Sequence, residues 1–254
     1  MVERSQLSAG AAAFLTSATF AALTARDRDG RLWTSPLVGP TGFLSVASPT
    51  KLLIETAFHQ DDPLHGMPDD QPVGLIAMDL AARRRLRING TLTASGEGGF
   101  EVDVVQAYGN CPQYIHPRVP SPDDRVHETR LIHRGDLLRP DDVDQIRAAD
   151  TFFLGTTHPE FGNDASHRGG PAGFVRAERD VVAWPDFPGN NMFNSLGNIE
   201  VDPAAALLFV DFATGRTVQS SGAAQVHWLG DGRAVQFEVH DVVASEIPAL
   251  RFAG

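Results

Sequence analysis

Gly39-Pro40-Thr41-Gly42-Phe43 and Gly170-Pro171-Ala172-Gly173-Phe174 are one pentapeptide pattern written twice, 131 positions apart. Working outward, Leu23 and Pro72 recur at the same spacing as Leu154 and Pro203. Further on, Leu75, Asp79, Arg84 and Gly90 recur as Leu207, Asp211, Arg216 and Gly222 at a spacing of 132, so the second copy gains one residue after Pro203. Copies of about a hundred residues are too long for a solenoid unit and suit two small domains. The expected organisation is a first copy over 1–116, an exposed Pro- and Asp-rich linker over 117–146 with a helical turn at Asp141–Arg147, and a second copy over 147–254.

Each copy reads mainly as short strands. In the first, Phe20–Arg26 and Leu32–Val38 flank the turn-rich Asp27-Arg28-Asp29-Gly30, and strands follow at Gly42–Ala47, Lys51–Glu55, Val73–Asp79, Arg85–Ala94 and Phe100–Val105. The second repeats the order at Thr151–Thr156, Gly173–Ala177, Val181–Trp184, Ala205–Phe212, Arg216–Val226 and Ala234–Val243. Strands of this length and spacing predict a small antiparallel barrel in each copy. Asn190–Ile199 has helix length with asparagine caps, and Asp202-Pro203 ends it.

Composition narrows the partners. A net charge of −11 argues against nucleic acid and anionic membrane surfaces, both of which need a basic face. Ala9–Leu15 is too short to span a bilayer and lacks the flanks of a signal peptide, so the expectation is a cytoplasmic protein. Cys111 is the only cysteine, which excludes an internal disulfide and a cysteine-ligated metal or cluster within the chain. The nine histidines form no HExxH pattern, and no metal site is expected. No Gly-x-Ser-x-Gly elbow, P-loop or dinucleotide GxGxxG occurs.

Three stretches carry polar chemistry. Ser166-His167-Arg168-Gly169-Gly170 offers side chains to a ligand, while its glycines let backbone N–H groups approach an anion; a solvated hairpin would read the same way. Counted back by 131, His167 and Arg168 become Pro36 and Leu37, so only one copy holds such groups. Trp184-Pro185-Asp186-Phe187-Pro188-Gly189-Asn190-Asn191 pairs aromatics with a helix N-terminus, fit for a planar ring and a phosphate or for a plain capped loop. Its first-copy counterpart, Phe58–Asp62, is acidic. Arg83-Arg84-Arg85 with Arg87 is the densest basic cluster; strand alternation puts Arg85 and Arg87 on one face, able to reach across to the other copy or simply solvated.

Together with Tyr108–Ile115, Phe152–Thr157 and Leu207–Arg216, these stretches resemble the pyridoxamine 5′-phosphate oxidase-like superfamily of FMN-binding split barrels, most closely its predicted flavin-nucleotide-binding proteins. The resemblance implies a mainly β fold with short helices, two tandem split β-barrels packed as a pseudo-dimer, with FMN held by the second copy. It implies that Ser166, His167, Arg168, Gly173 and Phe174 run beside the isoalloxazine and ribityl chain. It also implies that Trp184, Pro185, Asn190 and Asn191 meet the ring edge and phosphate, and that Thr217 touches the ring. The family's oxidases carry Arg-Lys where this chain has Asn190-Asn191, so Arg168, Arg216 or the first-copy arginines are the candidate charge partners. Ile247–Gly254 does not match the vitamin oxidases' substrate segment, and the sequence holds no Gly-rich dinucleotide motif or four-cysteine cluster of a reductase module, so electrons are expected from outside these residues. The expectation is a flavin-dependent oxidoreductase acting on an unspecified small molecule, with an outside reductase or NAD(P)H as electron donor, and a further homodimer compatible with it. The rival is a non-catalytic protein that binds flavin, deazaflavin or haem in the same cleft. No catalytic residue is assigned.

Overall fold

In the computed structural model, which describes residues 6–96, 98–109, 112–121, 128–188, 193–230 and 232–253, the repeated pentapeptide makes the same turn twice. Phe43 N–H donates to the Pro40 carbonyl at 3.0 Å, and Phe174 N–H to that of Pro171 at 3.1 Å. The third residue of each turn, Gly42 (φ 95°) or Gly173 (φ 85°), lies in the left-handed region that glycine enters without steric cost. The turns displace the expected strands: Gly42–Ala47 becomes Leu44–Ser48, and Gly173–Ala177 shrinks to Arg176–Ala177.

The first copy opens with helix α1 (Ala9–Ser17), capped by Ser8, and continues through β1 (Phe20–Arg26), β2 (Leu32–Val38), β3 (Leu44–Ser48), β4 (Lys51–Ile54), β5 (Gln71–Asp79), β6 (Arg84–Gly96) and β7 (Gly99–Gly109). After β8 (Val119–Pro120), β9 (Arg130–Gly135) and helix α2 (Pro140–Ala148), the second copy runs through β10 (Thr151–His158), β11 (Gly162–Gly169), β12 (Arg176–Ala177), β13 (Val181–Pro185), helix α3 (Asn194–Val201), β14 (Ala204–Asp211), β15 (Arg216–Leu229) and β16 (Gly232–Glu246). A short β17 (Phe252–Ala253) pairs with β8. The first sheet is ordered β2-β1-β5-β6-β7-β4-β3 and the second β11-β10-β14-β15-β16-β13-β12, the same path in the same sense. Neither sheet closes on itself, which gives two split barrels in tandem.

Other repeated residues have repeated jobs. Asp79 pairs with Arg84 and Asp211 with Arg216 to close equivalent hairpins. Register shifts fall at Asn89/Gly90 and Ser221/Gly222, where the glycines let β6 and β15 bend.

Each copy has its own apolar core, and a third cluster joins them: Phe20, Ile76 and Met78 of the first copy pack on Phe153, Leu208 and Phe212 of the second. Ring centroids of Phe20 and Phe153 lie 5.2 Å apart. The sheets thus pack face to face as a pseudo-dimer. The segment read as a linker is not wholly exposed: β9 joins the second sheet beside β16, and Leu138, Val143 and Ile146 are buried. The helix expected at Asn190–Ile199 is found at Asn194–Val201; Asn190 and Asn191 lie outside the described residues, and the N-cap Phe193 supplies no side-chain bond. Among the described residues, no helix is long and apolar enough to cross a membrane.

Candidate functional site

Strand alternation on β11 divides its polar residues between two environments. Ser166 and Arg168 sit opposite Leu154 and Phe152, whose side chains belong to the second copy's core. His167 sits opposite Phe153, in the cluster between the copies. There the Arg85 guanidinium of β6 donates to His167 Nδ1 at 2.8 Å. A guanidinium has no acceptor, so Nδ1 must accept and the ring proton resides on Nε2. Burial, and then the nearby Arg85 and Arg168 charges, hold His167 well below the ordinary histidine range, so it is neutral. Its Nε2–H is buried without a partner.

One strand position pair further on, Arg87 donates to Asp164 Oδ2 at 3.2 Å and to the Tyr108 hydroxyl at 3.3 Å. Asn89 Nδ2 donates to Asp164 Oδ1 at 3.3 Å, and Ser195 Oγ of α3 lies 3.2 Å from both Asp164 Oδ2 and Ser166 Oγ. Further along the same face of β11, Arg168 donates to Asp186 Oδ1 at 3.0 Å while Arg233 donates to Asp186 Oδ2 at 2.9 Å. Asp186 directly follows β13, so this ion pair bridges the split in the barrel. A cavity of about 560 Å³ opens beside this network, with Asn89, Asp164, Phe161, Phe193 and Asn194 in its wall.

The first copy also sends a strap across the second. Tyr114, at φ 64°, donates its hydroxyl to the Pro188 carbonyl at 2.9 Å and lays its ring 5.6 Å from Phe187. His116 Nε2 lies 2.8 Å from the Gly170 carbonyl, and Arg118 grips both Asp150 oxygens at 2.6 and 2.7 Å.

The structure therefore gathers Ser166, His167 and Arg168 with Arg85 and Arg87, which do reach across from the first copy. The other sequence candidates are elsewhere. Phe174 stacks on Phe152 at 5.9 Å, and Gly173 serves the turn. Trp184 is 2% exposed and packs edge-on to Phe152, inside the core; Pro185 is exposed at the end of β13. Arg216 is bound to Asp142 and to the Asp141 carbonyl of α2. Thr217 donates to the Ser245 carbonyl at 3.4 Å and is separated from Arg168 by β10 and β14, three strand spacings or about 14 Å along the sheet.

Pseudo-symmetry explains the separation. A cleft between the copies takes the β11-type strand from one and the β6-type strand from the other, and the first-copy counterpart of Thr217, 132 positions back, is Arg85. Thr217 belongs to the second, equivalent cleft, where Gln219 of β15 donates to the Thr34 carbonyl at 3.3 Å and to Ser35 Oγ at 2.8 Å. That cleft holds the carboxylate of Asp62, which accepts from Ser35 Oγ at 2.7 Å, Gln219 Nε2 at 3.3 Å and Leu64 N–H at 2.8 Å. Burial pushes Asp62 up to about 6. Sequence reasoning missed Asp164, Ser195, Asn89 and Arg233, whose convergence depends on how the copies pack.

The first cleft suits an anion. Its bonded network sets Arg85, Arg87, Arg168 and Arg233 against Asp164 and Asp186, with His167 neutral. The Nε atoms of Arg87 and Arg168 and Nε2 of His167 are buried donors without partners. Such donors match the acceptor oxygens of a phosphate or a flavin ring edge.

No family model and no curated protein matches this chain. Among solved structures, it is similar to a pyridoxamine 5′-phosphate oxidase-like protein of Lactobacillus delbrueckii, with 13% identity over 44% of this chain and 98% of that one and a TM-score of 0.35. A FAD-binding protein of Mesorhizobium loti matches at 9% identity over 46% and 99% of the two chains with a TM-score of 0.33, and HutZ, a haem storage protein of Vibrio cholerae, at 10% over 41% and 90% with a TM-score of 0.32.

Proposed function

We propose that the chain is an FMN-binding flavoprotein, and that it works as a flavin-dependent oxidoreductase on a small molecule with electrons from an outside reductase or NAD(P)H. What supports this reading is the cationic network between β6 and β11, with its unpartnered buried donors, in a chain that is otherwise strongly acidic. Arg87 and Arg168 would take the phosphate, with His167 Nε2–H and Ser166 as further polar contacts. FMN would supply hydride or single-electron transfer. The protein's part is to bind and orient: Asp164 and Asp186 hold the arginines in place, and the Tyr114 strap covers the second copy's loops.

The same cleft would serve a binder of flavin or deazaflavin that does no chemistry. Haem fits less well, because the proton on His167 Nε2 and the Arg85 bond at Nδ1 leave neither nitrogen ready to bind iron. The test is titration of the purified protein with FMN, read by fluorescence quenching and absorption, in wild type, Arg168→Ala and Arg31→Ala. Arg31 is held by Asp27 and Asp241 away from this network. Arg168→Ala should lose roughly 1.5–3 kcal/mol of affinity and Arg31→Ala almost none. Equal losses, or none from Arg168→Ala, refute the site. Bleaching of bound FMN by NADH or NADPH, or by an added reductase, then separates the enzyme from the binder.

A further inference from the structure

A second cavity, of about 800 Å³, lies among α2, the turn joining β14 to β15 and the end of β16; none of Arg85, Arg87, Asp164, His167 and Arg168 lines it. Its apolar wall includes Phe209, Phe212 and Phe252. Behind its polar wall, and not lining the cavity, lies Asp142, a fully buried carboxylate at the start of α2. Arg139 donates to one oxygen of Asp142 at 3.4 Å and Arg216 to the other, so two guanidinium groups are pinned side by side by one anion. Gln145, one turn along α2, donates its amide to the Arg216 carbonyl at 3.0 Å.

Three atoms of this wall are buried without a partner: Arg139 Nη2, Arg216 Nε and Gln145 Oε1. Two are donors on cations and one is an acceptor, and all three belong to residues that line the cavity. In the rest of the wall Arg118 is paired with Asp150 and Arg130 with Glu246, and Asp141 and Asp211 leave an excess of two carboxylates. A bare anion would gain from the two arginines and lose to these carboxylates. A ligand with one charge of each sign meets both.

We propose that this cavity binds a zwitterionic amino acid with an apolar or aromatic side chain. Arg139 and Arg216 take the carboxylate, Gln145 Oε1 takes an ammonium proton, and the side chain lies against the phenylalanines. Isothermal titration of the full-length protein with L-phenylalanine, 3-phenylpropionate and phenethylamine tests the assignment. L-Phenylalanine should bind, and each analogue that lacks one charge should bind about tenfold or more weakly, as expected for loss of a charge-assisted contact. Absence of phenylalanine binding, or equal affinity for 3-phenylpropionate, overturns it.

Two variants locate the site. Arg139→Gln removes a donor, and Ala148→Phe places a ring in the cavity from the exposed end of α2 without removing a polar contact. With the thermal midpoint retained, both should weaken phenylalanine binding about tenfold while FMN affinity stays unchanged. Binding that survives both variants, or that is lost in Arg168→Ala instead, places the amino acid elsewhere and overturns the proposal.

Discussion

His167 is desolvated among arginines, and Asp62 is desolvated among Ser35, Leu64 and Gln219 with Arg134 the one cation acting on it, so folding shifts their protonation in opposite senses. The folded state holds His167 neutral by burial and by the Arg85 and Arg168 charges. That contribution is complete above the unfolded histidine value, near 6.5, and is lost as pH falls below it. Asp62, pushed up to about 6 by burial, favours its protonated form when folded. Its contribution is present below pH 3.8 and is lost as pH rises through about 6, a difference on the order of 1–3 kcal/mol. Urea midpoints between pH 4 and 8 should therefore change shape in opposite ways in two variants. Asp62→Asn should remove the decline between pH 4 and 6, and His167→Gln, which keeps an acceptor for Arg85, should lessen the loss on acidification. Identical profiles in wild type and Asp62→Asn would show that Asp62 is ionised throughout.

β5 and β11 cross so closely that only glycine fits at Gly74, where a Cβ would lie 2.6 Å from the backbone of Asp164 and Ala165. Backbone cannot yield as a flexible side chain would, so Gly74→Ala should cost about 1–3 kcal/mol in denaturant unfolding and, by shifting the strand that carries Asp164 and His167, weaken FMN binding. Gly197 is the contrasting case: it lies in α3 with nothing within 4 Å of a built Cβ, and Gly197→Ala should add roughly 0.5–1 kcal/mol through helix propensity. If Gly74→Ala is neutral and leaves FMN binding intact, the copies are not held at this crossing. Elements were legible in the sequence where their cause is local. The recurrence of the pentapeptide, of Gly90 and of the Asp79 and Arg84 pair is visible along the chain and most strands between them follow, but Gly42 and Gly173 read as strand starts and are turn residues, and β11 falls outside the strands read in the second copy. Helix α1 was hidden in an apolar, alanine-rich stretch whose start depends on the Ser8 cap. Strand β9 was hidden because its partner β16 lies more than a hundred residues away, so Arg130–Gly135 read as linker.

Across the whole molecule, two clefts related by pseudo-symmetry differ in what fills them, and that difference decides how much ligand one chain can hold. His167 and Arg168 stand out along the chain because the aligned first-copy positions are Pro36 and Leu37, whereas Ser166 aligns with an identical Ser35. The assignment of Arg216 and Thr217 to the same site was not recoverable from one copy. The strand that completes the cleft at β11 is β6, and only the packing of one sheet on the other reveals the exchange. In the second cleft, the arginine position is Gln219, and the Asp62 carboxylate occupies the space between Ser35 and Gln219. A carboxylate there repels a phosphate and already satisfies the donors that would hold one. Titration of the apo protein should accordingly saturate at one FMN per chain. Arg87→Ala, a first-copy change, should weaken that binding by roughly 1.5–3 kcal/mol, as for any charged hydrogen-bond partner removed, while Gln219→Ala should leave affinity and stoichiometry unaltered. Two FMN per chain would mean that Asp62 moves aside and both clefts are used. Weakening by Gln219→Ala together with indifference to Arg87→Ala would transfer the site to the other cleft and reverse the roles assigned to the two copies.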